Sequence, residues 1–192
     1  TKNGLNRFNP ESKTFTVFNE DKNNPRSLSD DDIVTISEDN EGYLWVGTYF
    51  NGLNRFNTST YESERFVNKP GAANSLGDNS IRALFIDSEN NLWIATGLGL
   101  THFDRRSKNY RHFLHNDADI NSISSNRIYS VFEDTDRILW IGTNNGLNRY
   151  DPETGHFKYF SEKDGLANPE IYCIEDDEAG NEEEQVDPDL PV

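Results

Sequence analysis

The sequence predicts an all-β protein made of four-stranded antiparallel units in tandem, each about 47 residues long, and three observations carry that prediction. First, Trp45, Trp93 and Trp140 stand 48 and 47 residues apart inside one recurring phrase: Leu44-Trp45-Val46-Gly47-Thr48, Leu92-Trp93-Ile94-Ala95-Thr96, Leu139-Trp140-Ile141-Gly142-Thr143. Second, another phrase follows each time, Gly52-Leu53-Asn54-Arg55-Phe56, Gly99-Leu100-Thr101-His102-Phe103 and Gly146-Leu147-Asn148-Arg149-Tyr150, and it also opens the chain as Gly4-Leu5-Asn6-Arg7-Phe8. Third, only 33% of residues are hydrophobic but 12% are aromatic. Large apolar side chains interrupted by Asn, Asp, Ser and Gly make a packed chain that turns often.

Each period reads as strands A to D. Strand A is Ile33 to Glu38, Ile81 to Ile86, Ile128 to Glu133 and Ile171 to Asp176, apolar on both faces near its middle and therefore expected to be buried on both sides. A turn follows, opened by Asp39, Asp87, Asp134 or Asp177, whose carboxylate can accept backbone N–H groups just ahead. Three residues on stand Gly42, Asn90, Arg137 and Gly180, a left-handed position that suits Gly or Asn and fits Arg137 poorly. Strand B carries the Trp phrase, and the small residue two places after each Trp is expected to leave room for a side chain of the next unit. Strand C carries the Gly-Leu phrase. Strand D is more polar: Thr14 to Phe18, Ser63 to Val67, Tyr110 to Leu114, Phe157 to Phe160. Polarity rising outward is what a β-propeller blade needs, because inner strands are sandwiched between neighbouring blades and the outermost meets water.

The predicted fold is thus a partial β-propeller over residues 1–181. Residues 1–20 supply strands C and D of a split blade, 33–68, 81–115 and 128–160 are full blades, and 171–181 is a lone strand A. Where the next Leu-Trp should stand the sequence has Glu182 and Glu183, so 182–192 is expected to be an acidic, solvated tail, and the whole to be a piece of a longer ring. Trp45, Trp93, Trp140, Gly52, Gly99 and Gly146 are read as structural.

Net charge is -16, and nine of the acidic groups lie in residues 175–192, leaving about -7 for the remainder. This balance repels a phosphate backbone or an anionic bilayer, so neither nucleic acid nor membrane contact is expected of this segment. No apolar run approaches the roughly 18 residues of a membrane span. The single cysteine, Cys173, excludes an internal disulfide and aligns with Thr35, Ala83 and Ser130 as a strand residue.

The order Ile-x-x-Ile, Asp, Gly, Leu-Trp-Ile-Gly-Thr, Gly-Leu-Asn-Arg-Tyr resembles the two-component regulator propeller repeat, over nearly the whole of residues 1–181. The resemblance implies the periplasmic or extracytoplasmic sensor region of a bacterial inner-membrane receptor. Its partners would be further blades and a signalling output domain, often a histidine kinase of a phosphorelay, and its ligand class would be carbohydrate-derived. Ala95, Thr101 and His102 depart from the pattern, and the loop Tyr49-Phe50-Asn51 is one residue longer than Gly97-Leu98 or Asn144-Asn145.

No catalytic signature is present: neither a Gly-x-Ser-x-Gly elbow nor a His-Glu-x-x-His pair occurs, and no cofactor or metal is expected. His112 and His115, three apart on a predicted strand, should face opposite ways. Asp30-Asp31-Asp32 lacks calcium-loop spacing and reads as a turn. In a blade meander the D-to-A and B-to-C connections share one rim, where binding residues of a rigid scaffold concentrate. That rim would hold Tyr49, Phe50, Asn51, Asn144 and Asn145, and beside the channel Asp32, Asn79, Asn126, Arg127, Asn168 and Glu170. Amides, carboxylates and aromatics together suit an oligosaccharide. The alternatives are a protein-interaction scaffold and, least favoured, part of a propeller lyase.

Overall fold

A computed structural model of the chain describes residues 1–176 and 182–185, and its backbone hydrogen bonding follows the repeat. A hairpin of β1 (Leu5–Asn9) and β2 (Thr14–Phe18) comes first. Blade 1 is β3 (Ile33–Glu38), β4 (Tyr43–Thr48), β5 (Leu53–Asn57) and β6 (Ser63–Phe66). Blade 2 is β7 (Ile81–Ile86), β8 (Leu92–Thr96), β9 (Gly99–Asp104) and β10 (Asn109–Phe113). Blade 3 is β11 (Ile128–Glu133), β12 (Leu139–Thr143), β13 (Gly146–Asp151) and β14 (His156–Phe160). Within each sheet the strands hydrogen-bond in sequence order, the meander the repeat predicts. The A strands β3, β7 and β11 lie side by side along one inner surface, and the sheets do not close into a ring.

The core sits between blades, and the tryptophans carry it. Trp45 is 1% exposed, its ring 5.2 Å from Phe66 of its own blade and 6.2 Å from Phe103 of blade 2. Trp93 repeats this with Phe113 at 5.8 Å and Tyr150 of blade 3 at 5.2 Å. Trp140 packs on Phe160 at 5.9 Å and stays half-buried, because the strand pair beyond it brings no C strand. The small residue after each Trp does make room: a Cβ on Gly47 would lie 2.6 Å from Cγ2 of Ile81, and one on Gly142 would lie 2.5 Å from the Ile171 carbonyl oxygen.

The turn aspartate does more than cap the turn. Asp39 accepts the backbone N–H groups of Glu41 and Tyr43, each at 3.0 Å, while its second oxygen takes the indole Nε1–H of Trp45 at 3.0 Å. Asp87 holds Trp93 at 3.0 Å and Asp134 holds Trp140 at 2.8 Å in the same way. The indole donor is thereby satisfied in the core, where leaving it unpaired would cost about 1–3 kcal/mol. Asn90 and Arg137 both adopt the left-handed backbone, at φ 65° and 63°, so Arg137 occupies the position that fitted it poorly.

Several expectations are corrected. Strand A is not buried on both sides in blade 1, where Val34 and Ile36 are 43% and 47% exposed. Ile36 pairs with Val46 and faces the β1–β2 hairpin, which brings no A or B strand to cover it. Its counterparts Leu84 and Val131 pack into the cores between blades. The last A strand, β15 (Cys173–Asp176), is not alone: residues Glu182–Gln185, expected in the solvated tail, form β16 and pair antiparallel with it. A ladder is made by backbone groups that any non-proline sequence supplies, so acidic composition does not by itself exclude pairing. Residues 177–181 and 186–192, with Asp177, Gly180 and the rest of the expected tail, lie outside the described residues.

Candidate functional site

The rim formed by the B-to-C and D-to-A connections is assembled by backbone hydrogen bonds that repeat from blade to blade. Tyr49 N–H donates to Asp32 O at 3.0 Å, Gly52 N–H to Asn79 O at 2.9 Å, and Asn144 N–H to Arg127 O at 3.1 Å. The glycine closing each connection is required there: Gly52, Gly99 and Gly146 have φ of 81°, 131° and 91°, and a Cβ on any of them would collide with the carbonyl oxygen at the end of its own D strand.

The expected rim residues divide into two groups. Asn79 and Asn126 turn their side-chain oxygens inward and accept the N–H of Asn68 and His115, each at 2.7 Å, while Asn168 accepts that of Glu170 at 2.8 Å. These three amides hold the D-to-A connections in shape. Asp32 receives Tyr49 through its backbone, Asn51 donates to Asp30 at 3.0 Å, and Asn145 donates to the Ser124 carbonyl at 3.2 Å. Asp30 and Asp31 also act as turn groups, accepting the N–H of Asp32 at 3.0 Å and of Glu20 at 2.6 Å.

The second group faces solvent. Tyr49 and Phe50 meet edge to face at 4.5 Å, and Phe50 is 65% exposed. At the inner edge Arg127 and Glu170 bracket two residues that sequence patterning missed, Tyr129 and Tyr172. Their rings stack at 4.5 Å and 26°, the Arg127 guanidinium lies 5.5 Å from the Tyr129 ring centre, and the Tyr172 hydroxyl donates to Glu170 at 2.5 Å. That hydrogen bond, with burial second, pushes the Tyr172 phenol up to about 12. Asn144 Oδ1 is buried with no hydrogen-bond partner among the described residues. The arrangement offers an aromatic wall, a cation and a carboxylate, which together can recognise hydroxyl-rich or acidic groups. Tyr129 escaped notice because a register shift at the second residue of the A strand in each full blade, between Ile128 and Ser130 here, breaks the alternation from which a side chain's direction is read.

His112 and His115 are also corrected. Strand β10 ends at Phe113, so alternation does not govern His115, and the two histidines line the same groove. His112 Nδ1 lies 3.1 Å from Thr101 Oγ1, whereas His115 is held by the Ile123 carbonyl at 2.7 Å and Asp117 at 2.9 Å. Those two contacts, the Ile123 carbonyl first, push its imidazole up.

The model of the two component regulator propeller matches residues 27–50, 75–97 and 122–145, one stretch per full blade, each running from the D-to-A connection through strand B. Among solved structures, the extracellular domain of the putative hybrid two component system BT3049 from B. thetaiotaomicron superimposes with a TM-score of 0.71 at 20% identity, covering 95% of this chain. A catalytically inactive virginiamycin B lyase from Staphylococcus aureus, with Quinupristin, superimposes at 0.61 and 15% identity over 89% of this chain. The chain spans 29% of the first structure and 51% of the second. No curated protein sequence matches. Identities this low show the fold alone, and the lyase shares it. The recurring phrases, the meander and the family match agree, and each of the three full blades of this chain carries a two component regulator propeller repeat.

Proposed function

We propose that this chain is a ligand-sensing propeller segment of an extracytoplasmic signal-transduction receptor, that it binds a carbohydrate-derived ligand, and that it signals through an output domain such as a histidine kinase. The segment itself is read as a binding module and not an enzyme. The observation that carries the ligand class is the Arg127–Tyr129–Tyr172–Glu170 cluster on the rim. Stacked aromatic rings beside a guanidinium and a carboxylate match the apolar face and the hydroxyls of a pyranose. The extracellular setting is supported by the BT3049 likeness, and no described helix is long and apolar enough to cross a membrane.

Thermal shift against neutral and acidic oligosaccharides tests the reading. A ligand at 100 times its Kd should raise Tm by about 5–10 °C, and Tyr172→Ala should remove the shift. A flat response across the panel would sink direct glycan sensing.

A protein-interaction scaffold is the second reading, favoured by the exposed Tyr49–Phe50 pair on the longest B-to-C loop. Exposed aromatics of this kind serve as interface anchors. A stoichiometric protein partner lost on Phe50→Ser, in the absence of sugar, would move this reading to first place.

A further inference from the structure

Blade 2 lacks a clasp that blades 1 and 3 share. In blade 1, Ser29 N–H donates to Asn54 Oδ1 at 2.9 Å and Asn54 Nδ2 returns a bond to Ser29 Oγ at 2.8 Å. In blade 3 the pair Ser124 and Asn148 makes the same two bonds, both at 2.8 Å. These clasps fasten the incoming D-to-A connection to strand C, and all four residues are buried. In blade 2 the corresponding residues are Gly77 and Thr101, which cannot form it. The cover over the clasp changes as well. Arg65 in blade 1 reaches across to the carbonyls of Ser27 at 3.0 Å and Leu28 at 2.9 Å, and Tyr159 in blade 3 packs over Gly146. The residue in that register in blade 2 is the shorter His112.

Three replacements, Gly for Ser, Thr for Asn and His for Arg or Tyr, thus change one place, where the Thr101 hydroxyl and the His112 ring close over Gly77, 3.0 and 3.2 Å from where a Cβ there would lie. Beside them opens a groove of about 560 Å³. Its floor is Leu76 and Leu100, each 1% exposed, and Leu98 and Leu114 stand at its mouth, 59% and 56% exposed. In a chain of net charge -16, no carboxylate among the described residues lines this groove. Its ionisable lining residues are Lys69, His112 and His115, and Asp117 engages the outer side of His115.

We propose that the blade 2 groove is a binding site for a small ligand with an apolar body and one carboxylate. The exposed side chains of Leu98 and Leu114 take the body, over the packed Leu76 and Leu100, at roughly 25 cal/mol per Å² removed from water. Lys69 at the edge supplies the positive charge for the carboxylate, both ring nitrogens of His112 being engaged by Thr101 Oγ1 at 3.1 Å and the Ala73 carbonyl at 3.3 Å, and that charge selects against the cationic and neutral analogues. This site is separate from the rim cluster around Tyr129 and Tyr172 and does not depend on the sugar-sensing reading.

Isothermal titration with 4-phenylbutyrate, repeated with 4-phenylbutyramide, tests the proposal on the whole chain. Saturable one-to-one binding of the acid is expected, about tenfold tighter than the amide. The double variant Gly77→Ser/Thr101→Asn restores the clasp residues of the other blades and pushes the His112 ring toward the groove, so it should weaken the acid by at least about tenfold. Leu98→Glu alters one exposed side chain without touching the core and should also weaken it. The Gly77 amide signal in a nitrogen–proton correlation spectrum should move on titration. The proposal is overturned by absence of binding, by equal affinity for acid and amide, or by binding that survives both variants.

Discussion

The guanidinium of Arg105, in the turn between β9 and β10 of blade 2, donates to the buried carboxylate of Asp39 in blade 1 at 2.8 Å. The same carboxylate holds Trp45, so the charged contact reaches the aromatic core through one residue. Arg105 occupies the turn position that is Pro10 and Pro152 elsewhere in the repeat, and it also reaches Glu41 at 3.3 Å. Arg105→Ala should destabilise the chain by about 2–3 kcal/mol, since hydrogen bonds to charged groups are worth about 1.5–3 kcal/mol. Urea unfolding checks this, and a loss within 0.5 kcal/mol, as is usual for an exposed substitution, would contradict it.

Asp39 also sets an acid limit. Burial alone pushes its carboxyl up, but the N–H groups of Tyr43 and Glu41, the indole of Trp45 and the Arg105 charge hold it below the ordinary 3.8. A carboxylate lowered in the folded state contributes stability present in full above its unfolded value near 3.9 and lost as pH falls through the folded value. Between pH 6 and pH 3 the natural chain should therefore lose more stability than Asp39→Asn. Parallel losses would show that other carboxylates govern the acid transition.

Removing a tryptophan should cost according to the blades it joins. Trp93→Ala opens the interface of blades 2 and 3 and should cost about 3–5 kcal/mol. Trp140→Ala should cost less, because Trp140 is half-buried. Chemical denaturation of both variants ranks them, and the reverse order would refute this account of the interfaces.

The position two residues after each tryptophan gives a steric test. Gly47→Ala would push a methyl group toward Ile81 and should cost about 1–3 kcal/mol. Ala95→Gly at the equivalent place of blade 2 removes a group already accommodated and should cost roughly 0.5–1 kcal/mol through backbone freedom. Equal effects would mean that space there is not what selects the small residue.

Blade number, strand order and the structural tryptophans were legible because each is written several times, and coincidence at one repeat is cancelled by the others. What differs between repeats was harder to read. Thr101 was visible as a departure from Asn54 and Asn148, yet its meaning needed Gly77, which lies 24 residues away and joins it only through the fold. Tyr129 was hidden by the register shift in β11, and Tyr172 lies just before the first paired residue of β15. Asn79, Asn126 and Asn168 sat on the expected rim, but their side-chain oxygens proved to be engaged by their own connections, a use of amides that composition cannot separate from recognition. The strand at Glu182–Gln185 shows the limit of arguing from side-chain polarity about backbone pairing.

The uncovered Ile36 on one side of blade 1 and the half-buried Trp140 at the far side of blade 3 lie on opposite sides of the three full blades and present different surfaces. Two copies meeting through them cannot share a twofold axis, because each end seeks the other kind of end. Such contacts are heterologous and propagate head to tail, ending only when the accumulated rotation closes a circle. This segment produced on its own should therefore give a ladder of sizes by light scattering in place of a single dimer, and Ile36→Lys should shorten it by blocking one polarity of growth.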